Sequence, residues 1–108
     1  MYAVENISPA DYAQLKNSPN PPVLIDVREP WEFAYARMEG AQLRRLADIH
    51  EWVDTLDKSA AYVLVCHHGV RSEMACQVLA RLGFQRVLNL QGGIDAWSRE
   101  VEPSMPRY

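Results

Sequence analysis

The chain has 108 residues, of which 48% are hydrophobic and 23% are charged. This length predicts one domain spanning residues 1–108, and the composition is typical of a globular protein with its own core rather than of a disordered chain. A net charge of -3 provides no basic footprint for nucleic acid, and no apolar stretch is long enough to make the membrane a partner.

Cysteine content and the first residues of the chain bear on its compartment. Two cysteines, Cys66 and Cys76, are too few for a disulfide framework. Residues 1–5 carry neither the basic nor the apolar region of a signal peptide. We therefore expect a cytoplasmic protein, in which a cysteine is reactive or packed rather than bridged.

In the first half of the chain, strand and helix signals alternate. Residues 3–6 predict a short strand, and Ser8 caps a helix that ends near residue 17. A proline-rich loop leads to the apolar run 23–27, which is typical of a buried parallel strand. Residues 30–35 begin a short helix. The apolar residues from 43 to 56 recur at intervals of three and four positions, which predicts one amphipathic helix there.

The second half of the chain repeats this alternation. The strongest predicted strand, residues 61–65, leads directly into Cys66, and a helix over residues 72–82 follows. Residues 86–90 predict another buried strand, after which a glycine pair turns the chain into a short helix and then an extended tail from Pro103. The helix at 72–82 is expected to bury Met74, Ala75, Val78, Leu79 and Leu82. Strands alternating with helices predict an α/β fold with a mainly parallel sheet.

The candidate site is the segment that joins the strongest strand to the following helix, Cys66-His67-His68-Gly69-Val70-Arg71-Ser72. In α/β folds, ligands bind beyond the carboxyl ends of strands, often where a helix begins. A connection this short curls its backbone, which Gly69 permits, and the curled amides form a concave nest for an anion. Helix N-termini and nearby cations favour the thiolate form of a cysteine. The pattern therefore indicates that Cys66 is a nucleophile.

Four motifs, in order over nearly the whole chain, resemble the signatures of the rhodanese family. They are Asp26-Val27-Arg28-Glu29, Glu32-Phe33 leading to Gly40-Ala41, the loop from Cys66 to Ser72, and Gly92-Gly93-Ile94-Asp95-Ala96-Trp97. The resemblance implies a rhodanese-like α/β fold, with a central, mainly parallel, five-stranded sheet flanked by helices on both faces.

The resemblance also implies a reaction. Cys66 would attack the outer sulfur of a small anionic donor such as thiosulfate, release sulfite and keep the sulfur as a persulfide until a thiol or cyanide accepts it. No metal or organic cofactor is implied. The donor and the persulfide would be held by the loop residues His67, His68, Gly69, Val70, Arg71 and Ser72. Asp26 and Arg28 would support this loop from the neighbouring strand end, and Arg71 would either pair with a carboxylate or steer the donor.

The second motif departs from the family pattern. Where the family usually has Gly-His-Ile-Pro-Gly-Ala, this chain has Ala36-Arg37-Met38-Glu39-Gly40-Ala41. We expect Arg37, together with Arg44 and Arg45, to make the entrance of the site more cationic. For Arg44 and Arg45, a solvated helix face is the alternative interpretation.

Other residues near the loop are interpreted structurally. Cys76, in the middle of a predicted helix, is expected to be a packed apolar residue rather than a resolving thiol. His67 and His68 either line the pocket or are solvated. We predict no metal site there, because adjacent residues rarely direct both side chains to one ion and no further ligand cluster is visible. Packing rather than binding is expected of Trp31, Trp52 and Trp97.

Two alternative functions stay open at this stage. A cysteine phosphatase or arsenate reductase also places a cysteine before an anion-binding loop that ends in arginine. The loop here has four residues between Cys66 and Arg71, one fewer than in those phosphatases, so its cradle is smaller. The other alternative is a relay or binding module that passes persulfide sulfur to a sulfur-accepting protein.

Overall fold

A single parallel sheet organises the computed structural model, which describes residues 4–108. Its strands lie in the order β1-β5-β4-β2-β3, and every described pairing is parallel. The strands are β1 (Val4–Ile7), β2 (Val23–Asp26), β3 (Gln42–Leu43), β4 (Ala61–Val65) and β5 (Arg86–Leu90). Residue 3, predicted to belong to the first strand, lies outside the described residues.

Helices cover both faces of the sheet, so the predicted α/β architecture is confirmed. They are α1 (Pro9–Leu15), α2 (Pro30–Tyr35), α3 (Ile49–Trp52), α4 (Val70–Arg81) and α5 (Gly93–Glu100). Tyr12 of α1 and Trp97 of α5 belong to one core cluster, and residues of α3 and α4 belong to a second cluster on the opposite face. Among the described residues, no helix combines the length and the apolar character needed to cross a membrane.

The central strand β4 is buried on both sides because its side chains alternate between the two clusters. Val63 and Val65 belong to the cluster of α1 and α5, whereas Tyr62 and Leu64 belong to the cluster of α3 and α4. Burying one such aliphatic side chain contributes about 1.5–3 kcal/mol. This burial holds the carboxyl end of β4, where Cys66 follows, in a fixed position.

The prediction of one helix over residues 43–56 is wrong. Leu43 instead pairs with Asp26 as an edge strand. The backbone N–H of Arg44 donates to the carbonyl of Asp26 at 2.8 Å, and that of Leu46 donates to the carbonyl of Val27 at 3.1 Å. Because β2 satisfies these donors, helical structure begins only at Leu46–Asp48, as a 3₁₀ turn, and continues through α3 into a second 3₁₀ turn, Val53–Thr55.

Several predicted apolar contacts also differ from the structure. Met74 and Leu82, expected on the buried side of α4, are 56% and 42% exposed, because they lie beyond the stripe that Ala75 and Leu79 bury. Trp52 and Trp97 are buried as predicted, but Trp31 is 63% exposed and packs edge-to-face with the Tyr108 ring.

The tail is folded back rather than fully extended. After α5, residues 103–105 form a turn, and the side chain of Met105 is buried in the cluster of α1 and α5. Met105 carries the last residues across α2 toward the loop that follows Cys66, where Tyr108 contacts both elements. This return was not predictable from local sequence patterns, because Tyr35 and His67, which Tyr108 contacts, lie far from it along the chain.

Candidate active site

Cys66 lies at the carboxyl end of β4, between the ends of β2 and β5. Its Sγ atom is buried and accepts backbone N–H groups from Gly69 at 3.1 Å and from Ser72 at 3.3 Å. Gly69 reaches this position with a φ of 102°, a left-handed conformation that favours glycine, and caps α4. The loop thus places two backbone donors and a helix N-terminus against one sulfur atom, an arrangement that stabilises negative charge.

The donors around Cys66 are held by Asn89, a side chain of β5 that the sequence reading missed. The Ser72 hydroxyl donates to Asn89 Oδ1 at 2.6 Å, and Asn89 Nδ2 donates to the carbonyl of Gly69 at 3.1 Å. The Ser72 Oγ atom also lies 3.3 Å from Cys66 Sγ. The sequence signal that could have identified Asn89 is that it is a polar residue inside the otherwise apolar end of the strand Arg86–Leu90.

Helix α5 supports the loop from below through its first turn. The N–H of Ile94 donates to the carbonyl of Cys66 at 2.8 Å, and the N–H of Asp95 donates to the carbonyl of His67 at 3.1 Å. Gly93 makes this approach possible, since a Cβ atom there would lie 2.5 Å from the Cys66 oxygen. The glycine pair that predicted a turn is therefore also part of the contact between α5 and the loop.

Asp26 and Arg28 form a fully buried ion pair beside the loop. Arg28 Nη2 lies 2.6 Å from Asp26 Oδ2, and the same nitrogen donates to the carbonyl of Ala36. A buried pair costs desolvation energy, so its geometry, rather than added stability, is its contribution. The pair links the end of β2 to the end of α2.

Arg71 pairs with a carboxylate, one of the two roles predicted for it. Its guanidinium grips Glu32 of α2 with two bonds, of 2.7 and 2.9 Å. The Arg71 guanidinium holds the pKa of Glu32 well below its ordinary value, at about 2, although partial burial opposes this. Glu32 belongs to a motif quoted above but was not predicted to be a site residue, because its partner lies 39 positions away.

The remaining predicted loop residues, His67, His68 and Val70, make no described hydrogen bond to Cys66 Sγ. The His67 ring is stacked between the rings of His68 and Tyr108, with centroid distances of 3.9 and 3.8 Å. Burial, followed by the neighbouring His68, lowers the pKa of His67 from its ordinary value and favours the neutral ring. His68 and Val70 are mostly exposed, and no described contact joins them to Cys66 Sγ. Their binding roles stay predictions.

Of the three arginines expected at the entrance, Arg37 and Arg45 are engaged with other residues, whereas the buried Nε atom of Arg44 has no hydrogen-bond partner among the described residues. The Arg37 guanidinium lies over the Phe33 ring, 4.9 Å from its centroid. Arg45 is half-exposed and pairs with Glu29 and Asp48. The ion pairs of Arg45 and the ring contact of Arg37 leave these two guanidinium groups less available to make the entrance cationic than the sequence suggested.

One group of side chains has the spacing of metal ligands. His67, His68 and Asp95 bring ligand atoms within 4.8 Å of one another, so a third possible ligand lies beside the two histidines. The Asp95 carboxylate, however, already pairs with Arg99 and Arg107. The stacked imidazoles lie nearly face to face, so their in-plane lone pairs do not converge on one point. We assign no metal to this group.

Comparisons with known proteins point to one family. A family model described as a rhodanese-like domain matches residues 8–100. The putative sulfurtransferase YtwF of Bacillus subtilis is 44% identical over 80 residues, covering 74% of this chain and 77% of that protein. The thiosulfate sulfurtransferase GlpE of Ectopseudomonas mendocina is 32% identical over 104 residues, covering 96% and 93%. The crystal structure of a rhodanese-related protein from Thermoplasma volcanium superimposes with a TM-score of 0.82 at 27% identity, covering 92% and 95%.

Proposed function

The chain belongs to the rhodanese-like domain family, and on that premise we propose that it is a sulfurtransferase that carries sulfane sulfur as a persulfide on Cys66. The observation that carries this proposal is the buried Cys66 sulfur with two backbone N–H donors directed at it. A relative that covers most of the chain is named a thiosulfate sulfurtransferase, which favours thiosulfate as the donor.

The proposed reaction has two transfers of one sulfur atom. The Cys66 thiolate attacks the outer sulfur of thiosulfate, so the new sulfur–sulfur bond forms while the bond to the sulfite group breaks, and sulfite leaves with the electron pair. An acceptor thiolate or cyanide then attacks the outer sulfur of the persulfide, which returns Cys66 to the thiolate. The N–H groups of Gly69 and Ser72 stabilise the negative charge on sulfur at both stages.

The position of Arg71 favours sulfur transfer over phosphate or arsenate chemistry. A phosphatase loop needs its arginine fork to grip the phosphoryl oxygens. Here both outer nitrogens of Arg71 are bonded to Glu32, so the guanidinium can attract an anion by its charge but cannot grip phosphoryl oxygens with its fork. The shorter loop and the engaged fork leave a cradle suited to a single sulfur atom.

A sulfur-accepting protein is the second candidate acceptor, and the surface beside the loop favours it. Val70 is 69% exposed at the start of α4, and Met74 lies one turn further along the same face. Exposed apolar side chains next to a nucleophile suit a macromolecular partner better than a small anion. The cytoplasmic location and the lack of a cofactor remain predictions.

Intact mass spectrometry tests this proposal. After brief incubation with thiosulfate, the wild-type chain is expected to gain the mass of one sulfur atom, and cyanide is expected to remove it as thiocyanate. Cys66→Ser is expected to gain nothing. If the wild-type chain gains no sulfur but hydrolyses an aryl phosphate or reduces arsenate, the sulfurtransferase proposal is rejected and the phosphatase-like alternative is supported.

Replacing Asn89 by alanine is expected to lower kcat/KM for sulfur transfer about tenfold. The variant frees the Ser72 hydroxyl and the Gly69 carbonyl, so the two N–H donors to Cys66 lose their common support. Two lost hydrogen bonds of about 1 kcal/mol each exceed the ~1.4 kcal/mol that a tenfold change requires. Thiocyanate formation at varied thiosulfate measures the effect.

The exposed Asn6 is a matched control, because it lies opposite Asn89 in the register of β1 and β5. Asn6→Ala is expected to keep kcat/KM within a factor of about two, as surface substitutions cost little. Equal losses in both variants would show that Asn89 has no special part in the site.

A further inference from the structure

Tyr108 lies outside all four family motifs, yet its side chain reaches the active-site loop. The segment that carries it is held at three points. Met105 is buried in the core, Arg107 pairs with Asp95 at 3.0 Å, and the carbonyl of Arg107 accepts the Tyr35 hydroxyl at 3.2 Å. The position of Tyr108 is thus set by contacts made before it along the chain.

The Tyr108 hydroxyl joins two buried charged residues, Arg28 after β2 and Glu32 in α2. It donates to Glu32 Oε2 at 2.7 Å and accepts from Arg28 Nη1 at 2.8 Å. Burial, opposed by the Arg28 hydrogen bond, raises the pKa of Tyr108 to about 12, so the hydroxyl keeps the proton that it donates.

Glu32 therefore has a complete set of partners. Its Oε1 accepts from Arg71 and from the backbone N–H of Glu29, and its Oε2 accepts from Arg71 and Tyr108. Tyr108 supplies one of four hydrogen bonds to the carboxylate that orients Arg71. The Arg71 side chain is one-third exposed, and Arg71 immediately precedes Ser72, whose backbone N–H donates to Cys66 Sγ.

The Tyr108 ring contacts the loop directly as well. It stacks on the His67 ring with a centroid distance of 3.8 Å and an angle of 11° between the planes. His67 follows Cys66 immediately, and its carbonyl is bonded to α5. The ring and α5 thus both contact His67, the residue that follows Cys66 in the loop.

We propose that Tyr108 is a positioning residue for sulfur transfer, which orients Arg71 through Glu32 and holds His67 through its ring. This proposal rests on the proposed function, since the donor that Arg71 guides is an anion. The hydroxyl and the ring have separable effects. The hydroxyl governs capture of the anionic donor, and the ring governs the geometry of the loop in both transfers.

Two substitutions separate these effects. Tyr108→Phe keeps the ring and removes the hydroxyl, so KM for thiosulfate is expected to rise about fivefold while kcat changes less than twofold. Tyr108→Leu removes both, so the same rise in KM is expected together with a fall in kcat. A kcat that is kept in Tyr108→Phe but falls in Tyr108→Leu would show the effect of the stacked ring.

The matched control is Tyr62→Phe, which removes a hydroxyl that donates to the carbonyl of Asp57 at 2.9 Å, remote from the loop. Urea unfolding calibrates the stability lost in each variant. Tyr62→Phe is expected to lose stability without a change in KM. If KM and kcat of Tyr108→Phe and Tyr108→Leu match those of Tyr62→Phe, Tyr108 is only structural and the proposal is overturned.

A second readout does not depend on sulfur transfer. Iodoacetate and iodoacetamide alkylate the same thiol, but only iodoacetate is an anion that Arg71 can guide to Cys66. The ratio of their rates on Cys66 is expected to fall about fivefold in Tyr108→Phe and to stay unchanged in Tyr62→Phe. A lower ratio in a chain that takes no sulfur from thiosulfate would keep the positioning role and reject the proposed function. An unchanged ratio would reject the positioning role.

Discussion

Cys66→Ser is expected to lower kcat/KM for thiocyanate formation by about a thousandfold or more, as removal of a catalytic nucleophile does in other enzymes. The reason is chemical rather than structural. A serine hydroxyl keeps its proton at neutral pH and forms no stable bond to sulfane sulfur. A thiolate, by contrast, carries no proton and forms such a bond. The loop should keep its conformation, because a serine oxygen in place of the Cys66 sulfur would still accept the same backbone N–H groups.

The second cysteine provides the control for this experiment. Cys76 is buried in α4, and this burial raises the pKa of its thiol to about 12, so it remains protonated at neutral pH. Cys76→Ala is expected to cost about 1 kcal/mol of unfolding free energy through lost packing and to leave kcat/KM unchanged. Sulfur transfer that survives in Cys66→Ser but disappears in Cys76→Ala would mean that our scheme places the persulfide on the wrong residue.

Gly93→Ala is expected to produce the second largest loss, in stability and activity together. Gly93 has a φ of 65°, and an added Cβ would collide with the backbone of Cys66 and His67. Left-handed strain of about 1–2 kcal/mol and a steric cost of about 1–3 kcal/mol are expected in the unfolding free energy. Because the collision displaces the loop, kcat/KM should also fall at least about tenfold in enzyme that remains folded.

Gly40→Ala separates strain from collision. Gly40 has a similar φ of 82°, but no heavy atom lies within 4 Å of a Cβ placed there. This variant is expected to lose about 1–2 kcal/mol of unfolding free energy from backbone strain alone and to keep kcat/KM. Urea unfolding and steady-state rates on both variants measure the difference. Equal activity losses would mean that the close approach of α5 to the loop is not needed.

The position of Cys66 between a buried strand and a helix start was predictable because its signals are local in sequence. An apolar strand, Cys66, a permissive glycine and a helix start follow one another within a few positions, and each has a known effect on backbone geometry. The alternation of strands and helices was sufficient for the fold class in the same way. The motifs that contain Asp26 and Gly93 identified the segments at the ends of β2 and β5, the two strands beside β4.

The partners of these residues were not predictable, because they are chosen by the folded arrangement. Glu32 and Arg71 are 39 positions apart, and Tyr108 is 80 positions from Arg28. The helix predicted over residues 43–56 failed for a related reason. The spacing of its apolar residues suits a helix, but the backbone donors of Arg44 and Leu46 find acceptors on β2. Local periodicity carries no information about that neighbour.

The pairing of β1 with β5 has a consequence for the newly made chain. Strand β1 is synthesised before the other strands and finds its neighbour in the last of them, and Asn89 and Gly93, which complete the cradle of Cys66, belong to the same late segment. Contacts between distant parts of a chain form only after the intervening residues are available. During translation, the loop that follows Cys66 therefore lacks the support of Asn89 and of α5. The N–H donors of Gly69 and Ser72 acquire this support only when the ribosome has released the residues of β5 and α5.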